Sequence, residues 1–292
     1  MGTLVTIHVV RQGTDVDDAV VNQAIDRAFG WFHEIEARCT RFSSRSELMQ
    51  LTAQAGVPVP ASPIVFQAVQ FALMVAEESG GAFDPTVGHR MEARGFNREH
   101  RTGEIVRTPI APDDNVDNDV SYRDVQLNPD RKTIRLLRPL TLDLGAVAKG
   151  LAVDTAAREL EPFRDFAIDA GGDLYLGGSN PQGTPWSVGI RHPRLENELI
   201  DSLRVSNQAV CTSGDYERRA HILDPRKKTT SDSVASATVV ASGAMLADAL
   251  ATAAFVLGPD QGMELLTRLG VEGLIVTPDL KRYETRGLCR AA

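Results

Sequence analysis

The chain predicts an α+β fold, on three observations. Short alternating segments and long segments of helical period both occur, but not in strict β-α-β order, which argues against a doubly wound parallel sheet. The 292 residues are enough for a large core, arranged as two lobes or one large domain. A hydrophobic content of 42% with 24% charged residues is that of an ordinary globular enzyme.

The elements follow in order. Thr3 to Val10 alternates as a strand does, and Val21, Ile25, Ala28, Phe32 and Ile35 recur at helical spacing. Ser44 with Glu47 forms a capping box ahead of Leu48 and Leu51. Ser62 followed by Pro63 opens a second long helix that stops at Gly80-Gly81. Residues 92–119 turn polar, with scattered Gly and Pro, and read as a surface excursion between lobes of about 1–90 and 120–280 within one domain over 1–292. Val125–Leu127 and Thr133–Leu137 flank the turn cluster Asn128-Pro129-Asp130 as a hairpin, and another strand ends near Asp143. Beyond it Ala148–Leu160 is helical, and Phe166–Ile168, Leu174–Leu176, Ser187–Ile190 and Gln208–Cys211 read as strands.

Composition excludes several classes of function. The 31 basic and 39 acidic residues give a net charge of −8, with no basic block, so nucleic acid is not an expected partner. The three cysteines, Cys39, Cys211 and Cys289, are odd in number and far apart, which supplies neither a disulfide framework nor a zinc knuckle. No apolar run approaches the length of a membrane span and no signal peptide opens the chain, so it reads as cytoplasmic, or as exported or membrane-anchored if the N-terminus is trimmed.

The segment AMLADALATAAFVLG, 244–258, holds one carboxylate, Asp248, and one hydroxyl, Thr252, a helical turn apart on one face. A helix this apolar is expected to be buried, where a bare carboxylate is costly and a cation removes the cost. Two hard oxygens suit Mg²⁺, which takes one or two protein ligands and completes its shell with water and substrate phosphates. The alternative is an Asp at a solvent edge, with Thr252 bonding back to the carbonyl of Asp248.

Four glycine-bearing segments carry more turn chemistry than a core requires. TLDLGAVAKG delivers Asp143 to a turn, with a helix beginning near Lys149 whose free N–H groups and cation could receive phosphate. GGAFDPTVG puts Phe83 and Asp84 on a turn pinned by Pro85; it could face a ring system or be only a turn. IDAGGDLYLGG reads as a structural hairpin. CTSGDYERRAHILDPR gathers Ser213, Asp215, Glu217, His221 and Asp224, where His221 is either a structural histidine or a catalyst. Neither GxxxxGKS/T nor GxGxxG occurs, and no GxSxG elbow orders a Ser-His-Asp set.

Taken together and in order, these segments resemble the ApbE family, the FAD:protein FMN transferases. The opening MGT, TRFSSRSEL (40–48), GGAFDPTVG, LDLGAVAKGLAVD (142–154), the DAGGD turn, SGDYER with HILDPR, and ADALATAAFVLG (247–258) follow in the family's order, over Met1 to about Val276. The resemblance implies an ApbE-like two-lobed α+β fold of mixed and antiparallel sheets flanked by helices, with an FAD cleft between the lobes. Its Mg²⁺ would be held by Asp248, Thr252 and the backbone carbonyl of Ala146. FAD contacts would fall on Met1, Phe42, Ala82, Phe83, Asp84, Asp143, Lys149 and Ser213, with His221 as general base or Asp215 in its place. The implied reaction moves FMN from FAD to a Thr or Ser hydroxyl of an acceptor flavoprotein and releases AMP. A flavin carrier that binds FAD without transfer, and a Mg²⁺-dependent FAD pyrophosphatase, are the alternatives. Three departures stand out: Arg219-Ala220 alone separate SGDYER from HILDPR, Lys227-Lys228 replace the usual Thr-Gly, and His89-Arg90 follow FDPTVG.

Overall fold

The computed structural model describes residues 2–11, 17–99, 103–106, 120–216 and 222–290, so Met1 and His221 lie outside the described residues. The first strand, β1 (Val5–Val9), is followed by α1 (Asp18–Cys39), whose Asp17 side chain accepts from Ala19 N and whose buried Val21, Ala24, Ala28, Phe32 and Ile35 repeat with the helical period. The short α2 (Glu47–Thr52) is capped by Ser46, whose Oγ accepts from Met49 N at 3.2 Å. Ser44 is therefore not the cap. The Glu47 carboxylate accepts from Ser62 N at 2.5 Å instead of reaching back to its own helix start, because Ser62 approaches from the next segment.

Strand β2 (Val59–Pro60) leads to α3 (Pro63–Glu78), capped by Ser62 and ended at Gly80 and Gly81, whose φ of 59° and 78° only glycine adopts without strain. The α4 helix (Gly88–Ala93) precedes an isolated bridge between Arg98 and Ile105, and β3 (Val125–Asn128) pairs antiparallel with β4 (Thr133–Leu136). The strand expected to end near Asp143 is reduced to one bridge, between Val87 and Thr141. The next helix, α5 (Gly145–Leu160), starts one turn earlier than Lys149.

Hairpin β5 (Phe166–Ala170) and β6 (Leu174–Gly177) is followed by hairpin β7 (Trp186–Arg191) and β8 (Leu199–Val205). Then come β9 (Gln208–Gly214), the small pair β10 (Leu223–Asp224) and β11 (Thr229–Thr230), and β12 (Ser236–Ala241). The chain continues through α6 (Ala244–Leu257), α7 (Pro259–Arg268), β13 (Glu272–Val276) and β14 (Arg282–Glu284).

The central sheet runs β1-β5-β6-β9-β12-β13-β14, antiparallel throughout, so the class is α+β. Strand β12 is buried at every position because both faces of the sheet are covered. On one side α6 packs on β9 and β12, with α5 and then α1 behind it. On the other, the β7–β8 hairpin closes a second core around Leu176, Val210, Val240 and Leu274. The main core runs from Ala24 to Ile275, so the two stretches expected as lobes share one apolar interior. No helix among the described residues is long and apolar enough to cross a membrane.

Candidate active site

A cavity of about 1010 Å³ opens where the segment after α1, the loop after α3, the start of α5, the end of β9 and the middle of α6 converge. Each segment arrives by a local device. The loop after α1 is closed by Ser46 Oγ donating to Thr40 O at 2.6 Å and by Phe42 N donating to Thr40 Oγ1 at 3.1 Å, which sets Phe42 on the wall. After α3, Ser79 Oγ accepts from Phe83 N at 3.1 Å and turns Ala82, Phe83 and Asp84 inward.

The Asp84 carboxylate is occupied by its own loop. Oδ1 accepts from Thr86 N at 2.8 Å and Thr86 Oγ1 at 2.7 Å, and Oδ2 accepts from Tyr122 N at 3.0 Å. Burial raises its pKa, with these hydrogen bonds opposing the shift. The same loop runs beside the chain at 141–143, where Asp143 N donates to Pro85 O at 2.7 Å. A Cβ at Gly88 would lie 2.6 Å from Thr141 O, so only glycine permits that approach.

Asp143, Ala146 and Lys149 reach the cavity from the start of α5. Within that helix Ala146 departs from helical geometry, with φ −89° and ψ 17°. Lys149 forms an ion pair with the buried Asp173, which the Gly171-Gly172 turn brings back from the end of β5. Burial opposes the lysine's charge, but Asp248 and Asp173 outweigh it and hold the ammonium above the ordinary lysine range.

Asp248 and Thr252 line the cavity from α6, and Asp248 is only 7% exposed, so the solvent-edge reading of that carboxylate does not apply. The Thr252 hydroxyl pairs with Ser213 Oγ at 3.1 Å, not with the carbonyl of Asp248. Ala146, Asp248 and Thr252 all line the cavity, and a carboxylate, a hydroxyl and a backbone carbonyl are hard oxygen donors of the kind Mg²⁺ takes, with water or phosphate oxygens completing its shell. Among the described residues no group of three or more His, Cys, Asp or Glu is placed to hold a metal ion.

Asp215 is not brought to the cavity. Its two carboxylate oxygens accept from Arg194 Nη1 and Nη2 at 2.8 and 2.9 Å, a bidentate pair that directs it elsewhere. Part of the excursion expected on the surface does belong to the site, since Phe96, Arg98, Glu99 and Glu104 line the cavity. Two of the departures noted in the sequence meet here: Arg90 Nη1 donates to Pro225 O at 2.9 Å and Arg94 Nη2 to Lys228 O at 2.8 Å, tying α4 to the β10–β11 turn. Sequence reasoning did not single out Asp173, Asp154 or Arg41. Asp154, one of the residues in the quoted segment 142–154, accepts from Ala244 N at 2.6 Å and Met245 N at 3.0 Å and caps α6 from α5, because Gly243 has no side chain to do it.

Known proteins resemble this chain over most of its length. The ApbE family profile matches residues 1–275. Curated proteins named FAD:protein FMN transferase include one from Treponema pallidum, 30% identical with 99% of this chain and 85% of that protein covered. Another, from Vibrio cholerae, is 28% identical with 90% and 81% covered. The solved flavin transferase ApbE from Vibrio cholerae superposes with a TM-score of 0.82 at 26% identity, covering 98% of this chain and 94% of that one. The fold and its cavity define an α+β protein of flavin-transferase architecture. The chain belongs to the ApbE family.

Proposed function

We propose that this protein is an FAD:protein FMN transferase that moves FMN from FAD to a Thr or Ser hydroxyl of an acceptor protein, releases AMP, and works with Mg²⁺. The observation that carries the reading is the convergence of Phe42, the 82–84 loop, Asp143, Ala146, Lys149, Ser213, Asp248 and Thr252 on one cavity wide enough for a dinucleotide. Family membership points the same way.

In this reading Phe42 and Phe83 offer apolar surface to a ring system, and the 82–84 loop, Asp143 and Ser213 orient the dinucleotide through its polar edges. Asp248, Thr252 and the Ala146 carbonyl hold Mg²⁺, which when bound neutralises diphosphate charge as a Lewis acid. Lys149 keeps a fixed positive charge beside Asp248. The acceptor oxygen attacks the phosphorus of the FMN half, the bond from that phosphorus to the bridging oxygen breaks, and AMP departs with the bond's electrons. The hydroxyl proton passes to a base, which is His221, since Asp215 is engaged by Arg194. The barrier falls chiefly through alignment and charge neutralisation.

Purified protein incubated with FAD and Mg²⁺, with and without an acceptor peptide, tests the reading. Flavinylated peptide together with AMP supports it. AMP without peptide would make the protein a pyrophosphatase, and no AMP in either case a flavin carrier. His221→Ala should slow single-turnover transfer by about 10²–10⁴ and flatten its rise between about pH 5.5 and 7.5, with FAD binding retained. An unchanged rate and profile would remove His221 from the base role.

A further inference from the structure

Arg41 is the most deeply buried arginine among the described residues, at 5% exposure, and an isolated guanidinium at that depth is costly. It lies on the wall of the cavity, and its contacts go to two other parts of that wall and to its own neighbour Phe42. Nε donates to Asp143 Oδ2 at 2.7 Å. Nη2 donates to the Phe96 carbonyl at 2.5 Å. The guanidinium carbon sits 4.3 Å from the centroid of the Phe42 ring, within cation–π range. Asp143's other oxygen, Oδ1, accepts from Gly145 N at 2.8 Å at the start of α5.

Electrostatics gives this arrangement a purpose. The described lining contains six carboxylates, among them Asp84, Asp143 and Asp248, against four fixed cations, and one of those, Lys149, is paired with Asp173. A dinucleotide brings a diphosphate, which such a wall repels unless its carboxylates are neutralised in place. We propose that Arg41 is a positioning residue for FAD: it neutralises Asp143, braces the Phe42 ring and pins the backbone at Phe96, so that three segments far apart in the chain present one preformed, charge-balanced wall to the dinucleotide. This rests on the transferase reading above. The planar fork is essential to it, because a lysine could supply the charge but not hold a carboxylate, a carbonyl and a ring face together.

The test measures FAD affinity by flavin fluorescence, with no acceptor present, for wild type, Arg41→Gln and Arg41→Lys, at low and high salt. Arg41→Gln leaves Asp143 uncompensated and should weaken FAD binding at least tenfold, with affinity improving as salt screens the repulsion. Arg41→Lys keeps the charge but not the fork, so it should lose the salt response and still bind FAD about three- to tenfold more weakly than wild type. In transfer assays the Arg41→Gln loss should fall on the KM for FAD more than on kcat. Wild-type affinity in Arg41→Gln, no salt response in that variant, or wild-type affinity in Arg41→Lys each overturns the inference while leaving the transferase reading in place. Should Arg41→Gln fail to fold, Arg41→Lys alone decides by whether it binds FAD more weakly than wild type. Wild type that does not bind FAD overturns both.

Discussion

At the scale of single residues, the chemistry turns on charges kept away from water. Asp248 is buried on the apolar helix α6, one turn from the Thr252 hydroxyl, so Asp248→Ala should abolish Mg²⁺-dependent AMP release with the far-UV spectrum unchanged; wild-type release at sub-millimolar Mg²⁺ would show that the metal is held elsewhere. Cys39 is buried at the end of α1, and desolvation first, with Glu47 adding, pushes its thiol up to about 12. Its folded pKa exceeds the unfolded value near 9, so the stability it contributes is complete below about pH 9 and is lost as pH rises toward 12. Denaturant unfolding of Cys39→Ala should therefore show a shallower alkaline loss than wild type, and parallel curves would contradict this. Burial also raises the Cys211 thiol, so a thiol reagent at pH 8 should modify Cys289 alone in the native protein and three cysteines after unfolding. Asp248 and Thr252 were legible in the sequence because helical spacing alone places them together. Arg41 was not, since its partner Asp143 lies 102 positions away and no periodicity links them.

At the scale of elements, the strong local signals survived and the marginal ones moved. Pro63 after Ser62, and Gly80-Gly81 after the apolar period, fixed α3 at both ends because each acts through its own backbone. The capping-box reading at Ser44 slipped to Ser46, since two serines in one stretch offer the same chemistry and tertiary contact chose between them: Glu47 turned to Ser62 N. The glycine turn of IDAGGDLYLGG read as structural on its own, and its consequence for Lys149 needed the fold that returns Asp173 to α5. The α5–α6 junction was illegible for the same reason. A Cβ at Gly150 would lie 2.5 Å from backbone atoms of Ala244 and Met245, and Asp154 accepts from the first two N–H groups of α6. This joint fixes α5 against α6, the helices that carry Ala146 and Asp248. Asp154→Ala should cost about 1–2 kcal/mol of stability, as loss of a helix cap does, and should raise the Mg²⁺ concentration for half-maximal AMP release. A variant that loses stability without any change in Mg²⁺ dependence would confine Asp154 to capping.

At the scale of the whole molecule, the cavity is made by segments from nearly the full length of the chain, from Gly2 to Thr252, on a single antiparallel sheet whose interior runs from Ala24 to Ile275. Because the same core supports every wall, a ligand filling the cavity contacts parts of the chain that lie far apart in sequence. Binding to the native state alone stabilises it by RT ln(1 + [L]/Kd), about 2.7 kcal/mol at a hundredfold excess over Kd. FAD with Mg²⁺ should therefore raise the unfolding midpoint in a concentration-dependent way, and FMN should do so less, because it lacks the adenylate half that a dinucleotide cavity of this size accommodates. Amide exchange locates the effect. On adding FAD, protection should increase together in the loop after α1, at 82–87, at the start of α5 and at the end of β9, while the β7–β8 hairpin on the opposite face of the sheet exchanges as before. Protection confined to one of those walls, or equal stabilisation by FMN and FAD, would mean that the cavity does not enclose the dinucleotide.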